Sequence, residues 1–191
     1  MEEYIQARHQ LLDELSLTKP GQILDAQFSF RKHFSAKELI SLIQHYKSKK
    51  YNIAPHALNI GWEDQSAEYR LQDGESLPVA LDRAHFRHGA FVKELYESAL
   101  NQYQQQVALG STGSEFQQYS DFLAHASELK RMYETRGVLY YGLQARSSAS
   151  QLKAIKDSDP NIRLIDPMLI VNESPLSAAA RKLAIPIAPN Q

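Results

Sequence analysis

The apolar positions of this 191-residue chain recur mostly at helical spacing. Tyr4, Ile5, Leu11, Leu12 and Leu15 predict a first helix over residues 2–16, ended by the turn signal Lys19-Pro20-Gly21. Ser35 and Glu38 have the S-x-x-E spacing of a capping box, with Phe34 and Leu39 placed as the flanking staple. They open a second helix with the stripe Leu39, Leu42, Ile43 and Tyr46. Its far end carries Lys47, Lys49 and Lys50, cations that complement the helix dipole. A third helix starts at Ser76, with Pro78 in its first turn, and runs to about Leu109. Its stripe is Leu81, His85, His88, Val92, Leu95, Ala99 and Tyr103. At 1.5 Å per residue this is a rod of about 45 Å. The loop Ser111–Gly113 and a second box, Ser114 with Gln117, lead into a fourth helix carrying Phe122, Leu129, Met132 and Tyr133 and fading near Gly137. So short a loop predicts an antiparallel helix pair.

Period-2 signals are fewer. Leu58, Ile60 and Trp62 alternate with polar or small residues, as do Tyr69 and Leu71, and Asp73-Gly74 is a turn, which predicts a small β-hairpin near 57–72. Phe28 and Phe30 alternate in a stretch too brief to assign. The expected fold is mainly α: a helical bundle with a long antiparallel helix pair, a small β-hairpin insertion and an extended C-terminal arm. The body is expected over 1–146 and the arm over 147–191.

Composition sharpens the picture of the arm. All seven Phe, all ten Tyr and Trp62 precede Gly142, the last glycine, whereas five of the eight prolines follow it. Within the arm, residues 150–157 suit a short helix, and Ile162–Val171 reads as extended, broken by Pro167. Ser174-Pro175 opens a helix near 175–184, and Pro186 and Pro189 keep the final stretch non-helical. Aromatic rings supply the largest single contributions to a core, so an aliphatic segment without them is expected to dock on another surface. Tyr140 and Tyr141 mark the docking seam, and Leu169, Ile170, Leu176, Leu183, Ile185 and Ile187 the docking side chains. This pattern predicts a non-catalytic structural or adaptor subunit of a multi-protein assembly, of viral-particle or secretion type. Its partners are proteins or further copies of the chain.

Charge and cysteine content remove other classes. A net charge of −1 gives no global field toward nucleic acid or an anionic membrane. With Cys at 0, disulfides and thiolate ligation are excluded. The longest strongly apolar run, Met168–Val171, is far too short to span a bilayer, and the acidic start Met1-Glu2-Glu3-Tyr4 lacks the features of a signal peptide. A cytoplasmic protein is expected, or one carried in a particle assembled there.

Two alternative chemistries have named candidates. Asp82/His85 and His125/Glu128 are carboxylate–His pairs at i, i+3 on the two long helices, with His88 alongside, and helical bundles build metal sites from such pairs. The corresponding reading is a metal-dependent enzyme holding iron, manganese or zinc; otherwise no cofactor is expected. Lys47, Lys49, Lys50 and Tyr51 combine cations with a ring that could stack on a base, the pattern of a small nucleic-acid-binding regulator. The glycine-bracketed loop Gly110–Gly113 lacks the lysine and preceding strand of a phosphate loop.

Overall fold

In the computed structural model, which describes residues 2–62 and 65–168, the stretch between the first two helices is a twelve-residue strand, β1 (Ile23–Phe34). Leu24, Ala26, Phe28 and Phe30 are buried and their neighbours less so, the alternation of a strand with one face on a core. The other elements are helices α1 (Glu2–Thr18), α2 (Ala36–Ser48), α3 (Leu77–Ala108), α4 (Gly113–Arg136) and α5 (Ala149–Ser158). Strands β2 (Ala54–Trp62), β3 (Gln65–Arg70), β4 (Tyr140–Ser148) and β5 (Ile162–Met168) complete the sheet.

The five strands lie in the order β3-β2-β4-β1-β5, with every neighbouring pair antiparallel. It follows that β1 and β2, β3 and β4, and β4 and β5 are parallel pairs, each with one strand between. Each of the three connections is helical, and such crossovers are right-handed as a rule. That puts α2, the α3–α4 pair and α5 on the same sheet face. One core joins them: Leu39 and Ile43 of α2, Leu81 of α3 and Leu152 and Ile155 of α5 meet Phe28, Leu58, Leu143 and Ile165 of the sheet. Leu11, Leu12 and Leu15 of α1 enter the same core, and α1 also flanks β5. There Tyr4 Oη and Arg8 Nε donate to the two carboxylate oxygens of Asp166, at 2.5 and 2.6 Å.

The expectation of a mainly α helical bundle is therefore wrong: this is a mixed α/β fold around a five-stranded antiparallel sheet. The hairpin near 57–72 is present as β2 and β3, yet it is one side of that sheet and not an insertion. The first part of the expected extended arm is α5 and the edge strand β5, paired to β1 from Asp25↔Met168 to Phe30↔Ile162. The expected helix near 175–184 lies outside the described residues. The antiparallel long pair is observed as α3 and α4, and the capping box forms, with Ser35 and Glu38 each accepting the other's backbone N–H. The Ser35 backbone N–H, then the Ser35 hydroxyl and Lys32 Nζ, donate to the Glu38 carboxyl and hold it down at about 2. At α4 the cap is Thr112, and the second predicted box does not form there. Among the described residues no helix is long and apolar enough to cross a membrane.

Candidate functional site

The feature that stands out from the sheet is the α3–α4 hairpin. With 32 residues, α3 is about 48 Å long. Gly110 and Gly113, at φ 68° and 80°, turn the chain back in a conformation that favours glycine. Val92 and Leu129 are the buried centre of the seam, packed by Leu95, Met132, Tyr133 and Leu139. Nearer the tip, Tyr103 and Phe116 stack at 5.4 Å between centroids. At the root, a Cβ on Gly89 would lie 2.2 Å from Tyr133 Oη. Glycine in the middle of a helix costs about 1 kcal/mol; here it is what admits the Tyr133 ring, whose hydroxyl reaches His85 Nε2 at 3.0 Å.

Beside this seam lies a groove of about 310 Å³ between the two helices. Gly89, Val92, Tyr96 and Tyr133 make its apolar floor, and Lys93, Glu97, Lys130 and Glu134 its charged rim. Lys93 Nζ is 3.9 Å from Glu97 on α3, and Lys130 Nζ is 3.7 Å from Glu134 on α4. Lys130 also lies over the Tyr96 ring, 4.4 Å from its centroid.

The candidate metal ligands do not assemble. Among the described residues no three of His, Cys, Asp and Glu are grouped as an ion would need. The hairpin register is the reason: His85 is opposite Tyr133, and His125 is eight residues further along α4, about 12 Å away. His125 is exposed, and Glu128 accepts two bonds from Arg131 at 2.7 and 2.5 Å. Asp82 is exposed near the base of α3. His88 is 6 % exposed, with Phe91 and Tyr133 rings about it. Burial, and then the charge of His85, push the His88 pKa down; burial, and then Lys156, do the same to His9.

The pH dependence of stability follows from these shifts. The unfolded chain takes up these protons near the ordinary value of about 6.5, before the folded chain does, so stability is full above that pH and falls below it. Urea unfolding at stepped pH is expected to show this first loss setting in as the pH falls below about 6.5, shallower in His88→Phe. A separate loss is expected below about 4.5 as Glu38, Asp13 and Asp157, all depressed by their partners, become protonated. A single transition confined to pH below 4.5 would contradict the histidine assignment.

Lys47, Lys49, Lys50 and Tyr51 lie at the end of α2. Tyr51 N–H donates to Tyr46 O and Lys50 N–H to Lys47 O, with Lys50 at φ 62°. This is a Schellman stop with lysine where glycine is usual. It turns Tyr51 toward Tyr46, 6.5 Å between ring centroids. Lys49 and Tyr51 share a cavity of about 210 Å³ with His45, Tyr46 and Asp159, while Lys47 and Lys50 lie outside its lining. The Tyr46 hydroxyl is committed to Asp159 at 2.6 Å, and the other Asp159 oxygen accepts from Asn161.

No protein-family model matches this chain, and neither any curated protein nor any solved structure does.

Of the expected docking residues, Tyr140 is fully buried between the sheet and α3, where its hydroxyl donates to Leu81 O at 3.4 Å. Tyr141 is half-buried beside it. Leu169, Ile170, Leu176, Leu183, Ile185 and Ile187 lie outside the described residues. The groove residues Gly89, Tyr96 and Lys130 escaped the reading of the sequence, although a glycine amid a 32-residue helix was a signal of close approach.

Proposed function

We propose that this chain is a non-catalytic structural or adaptor subunit of a multi-protein assembly, of viral-particle or secretion type. The sheet is its rigid base, the α3–α4 hairpin a contact arm, and the ring-free segment after Met168 a second attachment. The observation that carries this reading is the extent of the hairpin beyond the core. The last buried α3 residue is Ala99, yet the helix continues to Ala108, and Val107 and Leu109 at its end are 53 and 76 % exposed. Large apolar side chains left exposed at the end of a projecting element support contact with other proteins. The aliphatic, proline-punctuated sequence of residues 169–191 supports the second attachment.

Deleting residues 172–191 tests it. The full chain is expected to form larger particles by native mass spectrometry and to retain cross-linked partners, and the shortened chain to lose one or both. Unchanged mass and unchanged partner capture would remove the attachment role of the C-terminal segment.

A further inference from the structure

Besides the seam with α4, α3 carries a second stripe. Val79, Phe86, Lys93, Leu100 and Val107 recur every seven residues. Val79, Phe86 and Val107 are 55, 76 and 53 % exposed. A seven-residue repeat drifts only about 20° per step around a helix and specifies a seam for another helix. The seam toward α4 is already filled through Val92 and Ala99, each one residue from a member of the second stripe and so about 100° away around the axis. Phe116, Leu123 and Lys130 repeat at the same interval on α4, all partly buried. Lys93 and Lys130 both line the groove, which places the two stripes on the same side of the hairpin. The result is a face two helices wide with an apolar stripe on each helix and charges at its centre.

Those charges identify the occupant. The helices are antiparallel, and Lys130 lies over Tyr96, so the base of one helix is level with the acid of the other. Round the groove the order is Glu97, Lys130, Glu134, Lys93. A half-turn about an axis lying in this face and parallel to the helices sets Glu97 of one copy over Lys130 of the other, and Lys93 over Glu134. A half-turn about an axis across the helices sets Glu97 over Lys93 and Lys130 over Glu134. Either two-fold gives attraction at all four positions, whereas a partner of one sign would meet equal repulsion and attraction. From Phe86, level with the last turn of α4, to Val107 the two-helix face is about 32 Å long. At two helix diameters, roughly 20 Å, it offers about 640 Å² per copy, toward the lower end of the standard specific interface.

We propose that the groove face of α3–α4 binds a second copy of this chain, the two hairpins closing into a four-helix bundle about a two-fold axis. This rests on the assembly reading above and names the partner at one of its surfaces. Sedimentation and native mass spectrometry of the full chain over a range of concentrations test it. The expected particle has twice the 21.7 kDa chain mass. Phe86→Asp, at a side chain exposed enough not to disturb the fold, and Lys93→Glu are each expected to weaken the dimer roughly tenfold or more, with unchanged circular dichroism. Restoration of the Lys93→Glu dimer by Glu134→Lys supports the axis parallel to the helices, and restoration by Glu97→Lys the axis across them. Restoration by neither overturns the proposal. So does a wild-type monomer on the order of 100 µM, or a dimer indifferent to both single substitutions. If either occurs while deletion of 172–191 still abolishes partner capture, the two-fold face is wrong and the adaptor reading stands.

Discussion

Gly142→Ala is expected to lower the free energy of unfolding by about 3 kcal/mol, at the upper end of what overpacking costs. Gly142 sits in β4, opposite Ser29 of β1 and Asn59 of β2. A Cβ there would lie 2.2 Å from Phe28 O, 3.4 Å from Phe28 C and 3.3 Å from Asn59 Nδ2. The nearest atom is backbone, held in the sheet, so it cannot swing aside as the end of a side chain would. Gly142 is not among the glycines of positive φ, so the requirement is for space and not for conformation. Gly21 is the matched control, since a Cβ there would meet nothing within 4 Å; Gly21→Ala should change stability by no more than about 0.5 kcal/mol. Urea midpoints at constant slope measure both. A loss below about 1 kcal/mol at position 142 would show that β1 and β4 separate more easily than their pairing implies.

Asp166→Ala is expected to cost a similar amount, about 3 kcal/mol, the low end for breaking a buried ion pair. Its side chain is 12 % exposed and that of Arg8 20 %. Removing the carboxylate leaves the Arg8 guanidinium and the Tyr4 hydroxyl without the acceptor they share. Because both donors lie in the first half of α1, the loss should be local before it is global. Hydrogen exchange should accelerate across residues 2–18 while the amides of β1 and β4 stay protected. Pairing Asp166→Ala with Arg8→Met in a double-mutant cycle separates the contact from the cost of the stranded cation. If the double variant is as unstable as the two single losses summed, the two groups do not act together.

The helices were legible because their signals are local. The spacing of Leu81, His88 and Val92 needs only one helix to be recognised, and the capping box at Ser35 and Glu38 is complete within four residues. The sheet was not, since its central strands are written in small residues. The core-facing positions Leu143, Ala145 and Ser147 of β4 lack the β-branched residues that usually mark a strand. Their neighbours leave little room: Ala26 pairs with Ala145, and Phe28 O closes on Gly142. In β1, Leu24, Ala26, Phe28 and Phe30 do alternate, but with alanine at one core position only the two rings catch the eye. The compositional break at Gly142 falls inside a strand, so it divides two materials without dividing the sheet. At the groove, Lys93 and Lys130 gain meaning only from a register between helices that no single-helix periodicity contains.

The position of β4 between β1 and β2 sets a problem for synthesis. When the ribosome has delivered the first 139 residues, three of the five strands exist, but only β2 and β3 have each other to pair with. The apolar face of β1, Phe28 included, must wait for a partner drawn from the last stretch of the sheet to be made. The α3–α4 pair has its contacts close in sequence and can form early, while the sheet closes late through distant pairings such as Ile23 with Ser148. Until its final strands emerge, a nascent chain of this design leaves that apolar face uncovered, the kind of surface through which folding intermediates aggregate.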